Sequence, residues 1–310
     1  MQSLRRLSYA ALSLAFAQIV FGAIVRISGS GMGCGDHWPK CAGQWFPPAN
    51  RIDLIIEITH RYIALCLTLV VIALLVAAFL KRSEAGVGEK GGVLRPAVIA
   101  AALVITAALL GAITVKMALN PLVIATHLTI AMSLLATLAI AAGRAGGFAA
   151  SSDISGGSPR TWRAARIAVI LTLCTLVLGA LTANLPDAAA SCGGFPWCRT
   201  ITNTGAGLYV QITHRVIAFL LFGHLWGLQR AVARRKEPRV IIRAARVAFA
   251  AAILQILIAA AMIELHFPPV FRSLHQAFGT LVWLSVVVLA IISLRAARNT
   301  PAEVELRAAA

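Results

Sequence analysis

Eight stretches of the chain are almost unbroken runs of apolar residues with charge confined to their edges. They cover Leu7–Val25, Leu54–Leu80, Pro96–Val115, Leu122–Ala142, Ile167–Ala183, Leu208–Gln229, Val247–Leu265 and Phe271–Leu294. Each is close to the roughly 20 residues a helix needs to cross a hydrocarbon core about 30 Å thick. Irregular backbone is not tolerated in lipid, so the runs predict helices. The first run follows Arg5 and Arg6, as a signal peptide would. It is long and lacks a small-residue cleavage site, and it reads as a retained helix. The pattern predicts an all-α integral membrane protein with eight transmembrane helices.

Composition agrees: 59% of the 310 residues are hydrophobic and only 13% are charged. The mean hydropathy is +0.84, which a water-soluble fold could not bury. The formal charge of +17 raises the question of nucleic acid, but its placement answers differently. With the amino terminus inside, the segments Lys81–Arg95, Arg144–Arg166 and Arg230–Arg246 and the two termini hold 20 of the 28 Lys and Arg residues. The positive-inside rule then puts both termini in the cytoplasm. The basic clusters, such as Arg234, Arg235 and Lys236, are read as topology determinants that touch anionic membrane lipids, with no nucleic-acid partner.

The chain repeats itself. Gly22-Ala-Ile-Val near the end of the first run matches Gly179-Ala-Leu-Thr near the end of the fifth, and each is followed by a cysteine-containing loop. Glu57-Ile-Thr-His60-Arg61 recurs as Gln211-Ile-Thr-His214-Arg215, and a further helical histidine follows 67 or 61 residues later, at His127 and His275. Four helices make one unit, and two pseudo-symmetric four-helix bundles are expected, residues 1–150 and 151–310. The Gly-, Ser- and Ala-rich stretch Gly143–Pro159 reads as a flexible cytoplasmic connector between them.

His60, His127, His214 and His275 all fall in the outer third of even-numbered helices. Ionisable side chains inside lipid are costly and face a bundle interior, where they mark a cofactor, an ion path or a relay. A lone histidine there more often hydrogen-bonds a neighbour. Four at one depth, ordered by an internal repeat, favour axial ligation of haem, His60 with His127 and His214 with His275. His37 and His266 lie in outer loops and His224 lies further down helix 6, and none is assigned a ligand role. Arg61 and Arg215 either pair with haem propionates or snorkel to headgroups.

The halves differ at one informative place. Glu57 stands three residues before His60, on the same helix face, where the second half has Gln211. A carboxylate can move a proton or stabilise positive charge, which an amide cannot do strongly, so the chemistry is expected in the first half. The alternative is that Glu57 pairs with Arg61 or caps a loop. Cys34 with Cys41, and Cys192 with Cys198, occupy matching outer loops and predict two disulfides, structural or redox-active, rather than a zinc site. Cys66 and Cys174, inside helices, read as small packing residues.

In these residues the chain resembles the haem A synthase family of bacterial and mitochondrial membranes, from Leu7 through Leu294. The resemblance rests on Glu57-Ile-Thr-His60-Arg61, on the Gly22–Cys41 segment with Gly29-Ser-Gly-Met-Gly-Cys34, and on the repeated histidine pairs. Cysteine pairs in both large outer loops match a bacterial subtype. The resemblance implies a haem b cofactor on His214 and His275 and substrate haem O on His60 and His127. It further implies oxidation of the porphyrin C8 methyl to formyl by successive hydroxylation, giving haem A for terminal oxidases, with Glu57 assisting. Haem O synthase and an electron donor are the implied partners. The implied location is the bacterial plasma membrane, multi-pass, with the haem sites toward the extracytoplasmic side.

Two other classes are compatible with parts of the pattern. A di-haem b-type cytochrome passing electrons from quinol would use four histidines, but it has no need of a carboxylate at only one site. A transporter would share the repeated halves, but it predicts broken helices and a polar midplane site that the chain lacks.

Overall fold

The computed structural model describes residues 1–35, 39–154 and 156–298. Among the described residues eight helices are long and apolar enough to cross a membrane. They are α1 (Gln2–Ile27), α2 (Ile52–Leu80), α3 (Leu94–Lys116), α4 (Pro121–Arg144), α5 (Pro159–Asn184), α6 (Ala206–Arg234), α7 (Arg239–Glu264) and α8 (Pro269–Arg298). Five of them, α1, α5, α6, α7 and α8, run a turn or more past their apolar run at one end, because the polar edge continues the helix past the hydrocarbon.

Local chemistry sets several of the starts. The Asn120 side chain accepts from the backbone N–H of Leu122 at 3.0 Å ahead of Pro121, and Ser158 accepts from Arg160 N–H at 3.2 Å ahead of Pro159. Both pair a side-chain cap with a proline at the first helical position. Buried Glu237, just before α7, accepts from the backbone of Ser158 at 3.1 Å and from the Thr161 hydroxyl, so two helix ends share one carboxylate.

In α2, Leu67, Val71, Leu74 and Ala78 are buried, whereas Leu65, Leu69, Ile72 and Val76 are exposed. Both sets follow helical spacing. A helix apolar on its outer face as well as its inner one is made for lipid rather than water.

Within the first four helices α1 packs on α2 and α4, and α3 packs on α2 and α4. The second four repeat this: α5 packs on α6 and α8, and α7 on α6 and α8. The two rings meet through α1, α4, α5 and α8. There the Trp283 indole N–H donates to the Met132 carbonyl at 2.9 Å in the buried core, tying α8 to α4.

The α4–α5 connector is packed rather than free. Ile154 is fully buried, Phe148 N–H donates to the Tyr9 hydroxyl at 2.8 Å, and Arg295 donates to the Gly147 carbonyl at 2.9 Å. Gly143 and Gly147 serve close contact there, since a Cβ would lie 2.7 Å from the Ile291 side chain and 2.5 Å from the Tyr9 hydroxyl. At the other end of the molecule lie the α1–α2 loop and the α5–α6 loop. The latter holds the single strand pair found among the described residues, β1 (Cys192–Gly193) antiparallel to β2 (Thr200–Ile201).

Candidate functional site

The four histidines sit at matching places. His60 and His214 are each the ninth residue of their helices, and His127 and His275 are each the seventh of theirs. Since α2, α4, α6 and α8 all start at the end of the molecule that carries the cysteine loops, all four rings share that end.

In the first half, His60 faces α1. A Cβ on Gly22 would lie 3.0 Å from His60 Cε1, so only glycine lets the ring approach this closely. One turn earlier, Gln18 Nε2 lies 3.3 Å from His60 Nε2 and donates to the His60 carbonyl at 3.0 Å. Phe21 stacks on the imidazole with centroids 6.3 Å apart. His60 is within electrostatic reach of His127, whose Cε1 lies 3.6 Å from the Cβ position of Gly111. Among the described residues Nδ1 of His60 is buried with no hydrogen-bond partner, while the His127 ring lies within reach of the Ala107 backbone. A buried polar atom without a partner costs roughly 1–3 kcal/mol, which a ligand taking that position would offset.

The second half repeats the plan with different groups. A Cβ on Gly179 would lie 2.9 Å from His214 Cε1. His214 Nδ1 lies 2.9 Å from the Thr175 carbonyl. An imidazole that donates one N–H to a backbone carbonyl has its other nitrogen free for a metal. Gln255 Nε2 lies 3.0 Å from Nδ1 and 3.4 Å from Nε2 of His275. His214 and His275 line one cavity of about 300 Å³, otherwise walled mainly by aliphatic and aromatic side chains of α5 to α8.

Above each histidine pair a cysteine loop is strapped down. In the first half Cys34 and Cys41 form a disulfide. Glu57, only 4% exposed, accepts from the Cys34 backbone N–H at 2.8 Å and from Arg61 Nη2 at 2.6 Å. Arg61 also donates to the Pro39 and Lys40 carbonyls at 3.2 and 2.8 Å. In the second half Cys192 and Cys198 form a disulfide. Gln211 Nε2 donates to the Ala189 and Cys192 carbonyls at 2.9 and 3.3 Å. Arg215 donates to the carbonyls of Gly194 and Cys192, each at 2.8 Å. The repeated Glu/Gln and Arg positions are therefore loop anchors in both halves. An acceptor meets an N–H in one, and a donor meets carbonyls in the other.

The structure thus brings together His60 with His127, His214 with His275, and Glu57 with Cys34 and Arg61. It assigns other residues elsewhere. Arg61 and Arg215 hold loop backbone rather than snorkel. His224 lies 2.9 Å from the Ala164 carbonyl through Nε2, which makes it a helix-packing residue. His266 is exposed in its loop, and His37 lies outside the described residues. Cys66 and Cys174 are exposed on the outer face, where they contact lipid instead of packing inside the protein.

Sequence reasoning passed over Gln18 and Gln255, although an amide inside an apolar run is a signal in itself. It noted Gly22 and Gly179 as repeat markers but not as the surfaces against which the rings rest. Among the described residues no group of three or more His, Cys, Asp or Glu side chains is placed to hold a metal ion. Two imidazoles on an apolar cavity match a flat apolar ligand that brings the remaining metal donors with it.

A model of the cytochrome oxidase assembly protein family matches residues 5–287. The chain is 28% identical over 298 residues to a haem A synthase of Staphylococcus aureus, covering 94% of this chain and 95% of that protein. It is 31% identical over 225 residues to a haem A synthase of Bacillus licheniformis, covering 69% and 70% respectively. With four imidazoles paired under two strapped loops and a family match over nearly its whole length, the chain belongs to the cytochrome oxidase assembly protein family that includes the haem A synthases.

Proposed function

We propose that the chain is a membrane haem A synthase that oxidises the C8 methyl of haem O to a formyl group, a four-electron change in which an external oxidant supplies two two-electron hydroxylations and the resulting gem-diol loses water. In this reading residues 151–310 form the cofactor half, where His214 and His275 would hold a resident haem b. Residues 1–150 form the substrate half, where His60 and His127 hold haem O.

The observation that carries the reading is the difference between two otherwise matching sites: Glu57 stands where Gln211 stands in the other. The residues also fit haem. His214 has one ring nitrogen on the Thr175 carbonyl, Nδ1 of buried His60 is without a partner among the described residues, and Gly22 and Gly179 clear the space beside the rings. When bound, the resident haem supplies one-electron redox chemistry.

The protein's own groups orient and insulate. The imidazoles would hold and orient the two haems, with the disulfide-bonded loops at the same end of the molecule. Glu57, one turn from His60, is placed to accept a proton or to stabilise positive charge on the methyl-derived carbon as hydroxyl groups form. Arg61 holds the carboxylate in position. The distribution of Lys and Arg supports cytoplasmic termini, with the histidine end of the molecule on the extracytoplasmic side, and the bacterial relatives support a plasma membrane location.

Mass spectrometry of haems extracted from membranes that make haem O tests this, comparing the parent with Glu57→Ala and His214→Ala. Haem A forms with the parent and falls to a trace with either variant. If haem O stays unconverted with the parent while b-type haem fills both sites, the protein is an electron carrier instead.

A further inference from the structure

Two arginines reach the second-half cavity from opposite halves of the molecule. Arg26 stands at the end of α1, and Arg272 in the first turn of α8, one turn outside His275. Both line the cavity that His214 and His275 share, and each lies within the other's electrostatic reach. Among the described residues no Asp or Glu lines that cavity. Among the described residues neither arginine has a carboxylate partner. Arg26 Nη1 reaches only the Ala183 carbonyl, at 3.4 Å. Arg215, the third cation there, is engaged with loop carbonyls.

Two like charges lining one apolar cavity repel each other, unless an anion lies between them. Guanidinium is suited to bidentate pairing with carboxylate. The internal repeat sharpens the point. The alignment that pairs Gly22 with Gly179 pairs Arg26 with Ala183, and the one that pairs His127 with His275 pairs Arg272 with Ile124. The first site has neither cation at these places.

We infer that Arg26 and Arg272 form a carboxylate clamp that binds the two propionates of the haem in the second-half cavity, with Arg26 supplied across the interface by the first half. The inference rests on the reading of that cavity as a haem site. It makes the second site a tight one, holding a permanent cofactor, and leaves the first without this clamp, as suits a site whose occupant must leave as product.

The test is haem release from the purified holoprotein to excess apomyoglobin, followed in the Soret band on a His60→Ala background so that the second site alone contributes. Arg26→Gln and Arg272→Gln each speed release about tenfold, the equivalent of one charge-assisted hydrogen bond near 1.4 kcal/mol. Both variants also lower the haem midpoint potential, since a cation beside the haem favours the reduced form. Reconstitution with haem dimethyl ester, which lacks the carboxylates, removes the difference between parent and variants. In the parent by itself the ester is released faster than haem, so the test stands even if a variant fails to fold. Equal release of haem and ester by the parent overturns the clamp, as does a variant effect that persists with the ester. A parent with no bis-imidazole spectrum, or one unchanged by His214→Ala, instead removes the haem site itself.

Discussion

The backbone N–H of Cys34 donates to Oε2 of Glu57 at 2.8 Å, so the first disulfide loop and the carboxylate proposed to assist the oxidation are joined by a direct hydrogen bond. With Arg61 on the other oxygen, both carboxylate oxygens are held. Order in the loop and the position of Glu57 are one property.

Breaking the first disulfide therefore displaces Glu57. A disulfide contributes roughly 2–4 kcal/mol, chiefly by restricting the unfolded chain. Cys34→Ser with Cys41→Ser is expected to reduce haem A formation about tenfold, the equivalent of 1.4 kcal/mol of lost ordering. The haem on His214 and His275 keeps its spectrum. Haem A yield and the Soret band, read on one preparation, check this; a yield equal to the parent's shows that the loop holds Glu57 without its crosslink.

Glu57→Gln separates anchoring from chemistry. The amide carbonyl still accepts from Cys34 N–H, while the charge beside His60 is lost. Conversion of haem O should fall by about 10²-fold or more, the range for removal of a positioned acid or base. Helix content by circular dichroism should remain that of the parent. Full activity in this variant confines Glu57 to holding the loop.

The reverse exchange, Gln211→Glu, places a carboxylate against the Ala189 and Cys192 carbonyls that Gln211 now donates to. Acceptor facing acceptor leaves buried groups unpaired at a cost of about 1–3 kcal/mol. Thermal loss of the second-site Soret band should occur several degrees lower. An unchanged midpoint means that Arg215 anchors this loop unaided.

Glycine substitutions probe the ring contacts. Gly179→Val puts atoms where His214 Cε1 lies 2.9 Å from the Cβ position, and Gly22→Val does the same at 3.0 Å from His60. Overpacking of this kind costs about 1–3 kcal/mol and rotates the ligand. Gly179→Val should weaken or shift the second-site haem spectrum, and Gly22→Val should lower haem O conversion while leaving that spectrum intact. Gly223→Ala, where the added Cβ meets open space, is the control and should be neutral or stabilising by up to about 1 kcal/mol. If both valine variants match the control, the glycines do not set ring position.

The eight spans and the shared end of the four histidines were readable from residue order. Runs of about 20 apolar residues leave no other fold in lipid, and the repeat of Glu57-Ile-Thr-His60-Arg61 as Gln211-Ile-Thr-His214-Arg215 carries depth with it. The Glu57 and Gln211 contrast was legible too, since it is a difference between aligned letters.

Tertiary structure alone decided which way each helix turns about its axis. In a lipid-facing helix the outer and inner faces are both apolar, so periodicity does not tell Leu69 from Val71, and Cys66 and Cys174 were misplaced for that reason. The same rotation selects Gln18 and Gln255 as partners of His60 and His275 and lays Gly22 and Gly179 against imidazoles. It also sends Arg26 of α1 into a cavity built by the other half. These contacts join residues with no fixed spacing along the chain, and packing of α1, α4, α5 and α8 against one another sets them.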